Sequence, residues 1–282
     1  MDSVFSKFSG LSDDDWVETL ITSTRQPIID GVEFPGFPSA ELQATIVGSS
    51  NEQALKEAGV FYKHVKRLYR NLNRGDIADA AILDFGVGWG RYARMFARDV
   101  GFGQVYGVDV VPNMLDVCRQ TRIPASLSLI APSGQLPFRD EFVDIAYAYS
   151  VFTHLPERVA EHWINEIYRV TKPGGLLVMT VEPKRFITFC RGLTAENAAS
   201  SPWYRGLRDV VARFPNAERD FDEGKFVYFP TGGGPQLPPD IYGDACISEN
   251  YMRRAWADRF RIVDYVDDPN KFWQAAVALQ RI

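Results

Sequence analysis

The feature that most constrains the fold of this chain is a glycine-rich turn that follows a short apolar run. Residues 81–85 form the run and include one acid, Asp84. Glycines then stand at the alternate positions Gly86, Gly88 and Gly90, and a helical pattern follows them. This order predicts a strand, a tight turn and a helix. Glycines tolerate positive φ and leave room beside the backbone, and the helix start presents free N–H groups, so the turn is predicted to hold a ligand.

The spacing of the glycines distinguishes two kinds of nucleotide cofactor. The dinucleotide fingerprint is G-x-G-x-x-G, and its helix start holds a pyrophosphate. Here the glycines run G-x-G-x-G after Asp84, an acid that would repel a pyrophosphate but suits a cationic amino group. The turn resembles motif I of the class I S-adenosylmethionine-dependent methyltransferases, whose ligand carries an α-amino acid and a sulfonium. The resemblance implies S-adenosylmethionine as the cofactor and S-adenosylhomocysteine as its product, with Asp84 and the three glycines holding the amino-acid end.

A second predicted strand, residues 104–109, ends in Asp109, about 20 residues beyond the glycine turn, where dinucleotide-binding proteins carry their ribose-binding acid. A carboxylate there can accept hydrogen bonds from both sugar hydroxyls. Residues 106–115 are similar to the second motif of the same family. Val110 and Met114 of this motif are predicted to flank the adenine.

The segment after the third predicted strand resembles the family segment that contacts adenine, often G-D-A-x-x-L-P-F. Pro132 occupies the place of the usual aspartate, so the amino group of the adenine must be recognised in another way. We expect the backbone of this segment, or one side chain, to do so. The residues expected to make these contacts are Ser133, Gly134, Gln135 (backbone or side chain) and Leu136.

Residues 140–156 resemble the fourth-strand motif of the family, in which a strand leads to the catalytic face. Open parallel sheets bind ligands beyond the carboxyl ends of their strands, which places Tyr149, Ser150 and His154 near that face. Tyr149 is a candidate for cofactor contact and for catalysis. An imidazole titrates near neutrality, which makes His154 a candidate general base. The competing interpretation is that His154 only packs against the cofactor or fixes the loop.

The order of elements predicts an α/β fold of the Rossmann-like, doubly wound type, with a mostly parallel sheet. A helix over 157–170, the turn Lys172–Gly175 and a strand over 176–182 resemble a further family motif, and the resemblance implies seven strands, the last inserted antiparallel between strands five and six. Aromatic residues mixed with glycine and proline after strand five indicate an inserted lobe. The predicted domains are a helical N-terminal extension (1–75), a cofactor-binding core (76–182), an acceptor-binding lobe or lid (183–247) and a C-terminal helix and strand pair (248–282).

The composition of the chain limits which partners and which cellular location are expected. A net charge of −5 gives no basic footprint for nucleic acid, so no nucleic-acid partner is expected. No apolar run approaches the roughly 20 residues that span a bilayer, and the acidic N-terminus lacks the charge pattern of a signal peptide. We expect a cytoplasmic protein, and leave its oligomeric state open. No metal site is predicted, and buried free thiols are expected at Cys118, Cys190 and Cys246.

The favoured hypothesis is transfer of a methyl group to an oxygen or nitrogen of a small-molecule, glycan or lipid-linked acceptor by in-line displacement. One alternative is a catalytically inactive, methyltransferase-like binding protein. The other is a nicotinamide-dependent oxidoreductase, against which the glycine spacing and Asp84 argue. The sequence leaves the acceptor and the methylated atom open.

Overall fold

The computed structural model describes residues 3–72, 77–199, 201–234 and 237–282. The chain divides into two compact units. The first unit comprises residues 1–131 and 137–147, and the second comprises residues 132–136 and 148–282.

Helices dominate the start of the first unit. Ser12 caps the first of them, because its hydroxyl accepts a hydrogen bond from the Asp15 backbone N–H at 3.1 Å. Three acids in that first turn face the positive end of the helix dipole. The helices are α1 (Asp13–Ser23), α2 (Ala40–Val47) and α3 (Asn51–Asn71), with the short antiparallel pair β1 (Ile28–Ile29) and β2 (Val32–Glu33) after α1.

A buried group of ion pairs ties α1 and α3 to the segment that follows the glycine turn. Lys66 of α3 lies 2.7 Å from an Asp99 carboxylate oxygen and also contacts Asp13 of α1. Arg98 pairs with the same two acids. The side chains of Lys66, Arg98 and Asp99 are each less than a tenth exposed. These charges therefore fix α1 and α3 to residues 98–99 of the same unit.

Parallel strands form the centre of the first unit. β3 (Ile82–Phe85) pairs in parallel with β4 (Val105–Asp109) and with β6 (Val143–Ala148), and β5 (Ser126–Leu129) pairs in parallel with β4. Every residue of β3 and β6 is buried, as expected for strands covered on both faces. The connecting helices are α4 (Ala93–Phe96) and α5 (Pro112–Gln120).

The second unit contributes antiparallel strands. Its central strand β7 (Thr171–Val181) pairs with β11 (Ala275–Arg281), which pairs in turn with β10 (Phe260–Val266). Strand β7 begins at Thr171, so the predicted separate turn over 172–175 is wrong. The residue before Pro173 favours extended backbone, and Gly174 takes a φ of +70° within the strand. Helix α6 (Glu157–Val170) precedes β7, and α11 (Glu249–Ala255) precedes β10.

The strand order of the seven-stranded sheet is β10-β11-β7-β6-β3-β4-β5. The last strand of the chain, β11, lies between β7 and β10 and is antiparallel to both. This order confirms the predicted Rossmann-like, mostly parallel α/β sheet, with its seventh strand inserted antiparallel between the fifth and the sixth.

The described residues of the segment after β7 have an apolar core of their own. Its elements are α7 (Lys184–Arg191), α8 (Ala195–Ala199), α9 (Pro202–Val211), α10 (Ala217–Asp222), β8 (Val227–Phe229) and β9 (Asp244–Cys246). Phe186, Leu207 and Phe229 are among the buried residues of that core. Strands β8 and β9 pair antiparallel. The three cysteines of the chain are buried free thiols, as predicted.

Candidate cofactor and acceptor sites

The glycine turn has the backbone geometry that its spacing predicts. Gly86, Gly88 and Gly90 take φ values of +83°, +51° and +78°. A Cβ on Gly90 would lie 2.5 Å from the Ile123 side chain, so this glycine is required for packing. A Cβ on Gly88 would meet none of the described heavy atoms within 4 Å. The backbone at Gly88 is therefore open to an approaching ligand.

Asp84 is a buried carboxyl group placed directly before this turn. Its Oδ2 atom has no hydrogen-bond partner among the described residues. Burial raises the pKa of Asp84 to about 7, and the negative charge of Asp109 adds to the increase. The Tyr147 hydroxyl opposes the increase, yet Tyr147 Oη and Asp84 Oδ2 do not reach hydrogen-bond geometry. A cationic group of a ligand would satisfy this carboxylate.

Asp109 ends β4 and is bonded to the glycine turn. Its Oδ2 accepts a hydrogen bond from the Gly88 N–H at 2.9 Å, and its Oδ1 accepts one from the Val111 N–H at 2.9 Å. Burial raises the pKa of Asp109, and these backbone bonds lower it. Each carboxylate oxygen retains a lone pair for a ribose hydroxyl. Val110 and Met114, the predicted neighbours of the adenine, are half-buried in the same unit.

The segment predicted to contact adenine belongs to the second unit, where α6 fixes its backbone. The Gly134 carbonyl lies 2.6 Å from His162 Nε2, and the Leu136 N–H donates to Glu166 Oε2 at 2.8 Å. The N–H of Leu136 is therefore already engaged, and its side chain is buried. The residues of this segment with exposed side chains are Ser133 and Gln135.

His154 lies in the second unit beside the chain that enters β9. Its ring stacks on Tyr242, with 4.6 Å between ring centroids and an interplanar angle of 13°. Its Nδ1 atom is 2.8 Å from the Gly243 carbonyl oxygen and 3.8 Å from Asp244 Oδ1. His154 is half-buried, and so is Tyr149, which follows β6 directly.

Another buried acid, Glu182, stands directly after the carboxyl end of β7. Gln274 Nε2 donates to Glu182 Oε1 at 3.0 Å and to Ser150 Oγ at 2.9 Å. Ser150 takes φ +58°, an uncommon conformation for a residue with a side chain. Glu182 Oε2 has no hydrogen-bond partner within the described part of the chain, and burial raises the pKa of Glu182 to about 8.

Sequence reasoning missed Asp244, Glu182 and Gln274 as candidate site residues. Glu182 stood at the end of a predicted buried strand, and a carboxyl group in that position was a usable signal. Asp244 and Gln274 lie in no motif, and only the tertiary fold brings them to His154 and Ser150.

Two features are absent from the described residues. These residues contain no group of three or more histidine, cysteine, aspartate or glutamate side chains placed to hold a metal ion. Among them, no helix has the length and apolar character needed to cross a membrane.

A buried acid before alternate positive-φ glycines, and a second acid at the end of the next parallel strand, define a cofactor site of the Rossmann-like type. A family described as a methyltransferase domain matches residues 83–179. Demethylmenaquinone methyltransferase of Thermus thermophilus is 30% identical over 162 residues, which cover 50% of this chain and 70% of that protein. The chain belongs to the class I S-adenosylmethionine-dependent methyltransferases. The cofactor of this family is S-adenosylmethionine, which leaves as S-adenosylhomocysteine.

Other relatives differ in the extent of the match. Malonyl-[acyl-carrier protein] O-methyltransferase of Serratia marcescens is 37% identical over 137 residues, 48% of each chain. The chain spans about a third to a half of the length of the curated relatives that it matches at 36–37% identity. A Listeria monocytogenes protein assigned as an S-adenosylmethionine dependent methyltransferase superposes with a TM-score of 0.51 at 12% identity, covering 76% of this chain and 97% of that one. That likeness shows the same fold.

Proposed function

We propose that this protein transfers the methyl group of S-adenosylmethionine to an oxygen or nitrogen of a small-molecule, glycan or lipid-linked acceptor. The observation that carries the proposal is the buried Oδ2 atom of Asp84, which has no hydrogen-bond partner among the described residues and precedes a glycine turn whose backbone is open at Gly88. When bound, the cofactor supplies an electrophilic methyl group on a sulfonium.

The residues of the first unit suit the polar groups of this cofactor. Asp84 binds the amino group, because an ammonium ion stabilises a carboxylate that burial otherwise disfavours. Asp109 binds the ribose hydroxyls while it holds the glycine turn through the Gly88 N–H. Gly88 lets the ligand lie against the backbone.

The second unit supplies the candidates for proton removal from the acceptor. His154 has a ring nitrogen, Nε2, that can accept a proton, and it is our first candidate for the base. Tyr149 is the second candidate, on the ground that it follows β6 at the carboxyl end of a parallel strand. Methyl transfer to oxygen agrees with the name of the Serratia relative, an O-methyltransferase. The predicted role of residues 183–247 in binding the acceptor is part of this proposal.

The cofactor assignment is tested by calorimetric titration of S-adenosylhomocysteine into the wild type and the Asp109→Ala variant. Loss of charge-assisted hydrogen bonds to the ribose should weaken binding by at least about fivefold, equivalent to about 1 kcal/mol. Asp116→Ala, which removes an exposed acid from α5, is the matched control and should bind as the wild type does. Affinity of Asp109→Ala within about twofold of the wild type would show that the ribose role is wrong.

The transfer itself is tested by incubating the protein with S-adenosylmethionine and a panel of hydroxyl and amine acceptors, followed by mass spectrometry. A gain of one methyl group on an acceptor supports the proposal. Cofactor binding without a methylated product across the panel would favour the inactive binding protein.

A further inference from the structure

The hydrogen bond at His154 Nδ1 determines which ring nitrogen carries the proton. A carbonyl oxygen only accepts hydrogen bonds, so the Gly243 oxygen at 2.8 Å requires a proton on Nδ1. In the neutral imidazole, Nε2 is then the acceptor nitrogen. The stacked Tyr242 ring fixes the plane of the imidazole, so the direction of the Nε2 lone pair is fixed as well.

Asp244 faces the protonated side of the same ring. Its Oδ1 atom lies 3.8 Å from His154 Nδ1, and its Oδ2 accepts a hydrogen bond from Thr231 Oγ1 at 2.5 Å. The Asp244 side chain is only 3% exposed. A carboxylate so close to Nδ1 stabilises the imidazolium that forms when Nε2 takes up a proton.

Main-chain hydrogen bonds hold His154 and Asp244 close together. The Gly243 N–H donates to the His154 carbonyl at 2.8 Å, and the Ala245 N–H donates to the Thr153 carbonyl at 2.7 Å. Asp244 lies between these two bonds, opposite Phe229 in the pairing of β8 with β9. The distance between His154 and Asp244 is thus set by strand-like main-chain bonds.

We propose that Asp244 is a positioning residue for His154, and that the acceptor is a hydroxyl compound whose proton passes to His154 Nε2. The proposal rests on the proposed methyl transfer. The acceptor oxygen bonds to the methyl carbon while the carbon–sulfur bond breaks, with its electron pair going to sulfur. The O–H proton goes to Nε2, so one positive charge disappears from sulfur and one appears on the imidazole, where Asp244 stabilises it.

The other titratable groups around the pair agree with this assignment. Burial raises the pKa of Asp244, and the positive charge of His154 is the largest of the influences that lower it, followed by the Thr231 hydrogen bond. The remaining titratable groups that interact with Asp244 lie after β7, on α7, on β8 and on β9, and they are Glu182, Cys190, Tyr228 and Cys246. None of these four carries a positive charge in either protonation state, so His154 is the cation in this group of described residues.

The proposal is tested by nuclear magnetic resonance of protein labelled with 15N-histidine, without cofactor or acceptor. The chain has three histidines, so the His154 signals can be assigned with a His154→Gln variant. In the wild type, the neutral ring should carry its proton on Nδ1. In Asp244→Asn, the 15N signals should show a larger share of the Nε2–H tautomer, because the facing carboxylate no longer favours the proton on Nδ1.

Two further variants keep the test interpretable. Thr231→Val retains the acid and removes only its hydrogen bond, so the share of the Nε2–H tautomer should rise by less, and this variant serves if Asp244→Asn does not fold. Asp240→Asn removes an exposed acid from the neighbouring loop and should leave the tautomer share unchanged. A proton on Nε2 in the neutral wild type, or the same tautomer share in the wild type and the Asp244 and Thr231 variants, would overturn the proposal. Either result would leave the cofactor site and the proposed methyl transfer untouched.

Measurements of kcat and KM then distinguish a role of Asp244 in positioning His154 from a role in folding. For a hydroxyl acceptor from the panel, Asp244→Asn should lower kcat about tenfold or more and leave KM unchanged, because proton removal belongs to the chemical step. For an amine acceptor that attacks as the free base, kcat should change little. Equal losses with both kinds of acceptor would contradict a role in proton removal.

Discussion

At the scale of single residues, Asp84 shows how a ligand site can oppose stability. The folded protein holds this carboxyl group out of water with no partner for Oδ2 among the described residues, which raises its pKa from 3.8 to about 7. Between these two values the folded state binds more protons than the unfolded state. Stability due to this group therefore falls as the pH rises from about 4 to 7.

Asp84→Asn should consequently stabilise the ligand-free protein at pH 8, by about 2–4 kcal/mol in the free energy of unfolding, and have little effect near pH 4. The same variant should bind S-adenosylmethionine more weakly, because a neutral amide does not compensate an ammonium ion. Urea denaturation at the two pH values, together with calorimetry, measures both effects. A variant less stable than the wild type at pH 8 would show that the carboxylate has a partner in the ligand-free protein.

The acids differ in how far the sequence could reveal them. Asp84 and Asp109 follow from local pattern, since Asp84 lies one residue before the end of β3 and Asp109 ends β4. That Asp84 Oδ2 has no hydrogen-bond partner among the described residues, and that Gly88 donates to Asp109, depend on the packed fold. Asp244 meets His154 only because β9 brings its entering chain alongside residues 153–154. No spacing rule in the sequence encodes that encounter.

At the scale of elements, buried charges link α1 and α3 to residues 98–99, which follow α4. Helix was predicted for the N-terminal part of the chain, whereas the partner of Lys66 could not be predicted, because Asp99 lies 33 residues away in sequence. A buried ion pair is costly to break on one side, since the remaining charge keeps its desolvation cost.

Lys66→Ala should therefore lower the free energy of unfolding by about 3 kcal/mol, as it leaves the buried Asp99 with less compensation. Lys63→Ala is the matched control on the same helix, because its pair with Asp14 is exposed and should cost less than about 1 kcal/mol. Urea unfolding curves give both values. Equal losses for the two variants would mean that the buried group contributes no more than a surface pair.

At the scale of the whole molecule, the sequence predicted the architecture well because each strand and its following helix carry local signals. The strand order, with β11 antiparallel between β7 and β10, matches the expectation from the family. The secondary structure of the segment over 183–247 was harder to predict, because its helices and its β8–β9 pair follow no family motif. The acceptor, a cytoplasmic location and the absence of a nucleic-acid partner stay predictions.

Heat denaturation of the whole protein can show which of the two cofactors it binds. S-adenosylhomocysteine at about 100 times its Kd should add about 2.7 kcal/mol to the free energy of unfolding. For a chain of this size, Tm should rise by about 5–10 °C, and NAD at the same concentration should leave it unchanged. Stabilisation by NAD alone would favour the oxidoreductase alternative.

The hydrogen bond from Gly88 to Asp109 also bears on how such a site can evolve. Under the proposed assignment, one carboxylate binds both the ribose and the turn that faces the amino-acid portion of the cofactor. A mutation at either position alters the environment of the other, so we expect the two positions to be epistatic. A lineage that changed its cofactor would have to replace the turn and the acid together. We therefore expect single mutations at either position to reduce binding of the present cofactor without creating a site for another.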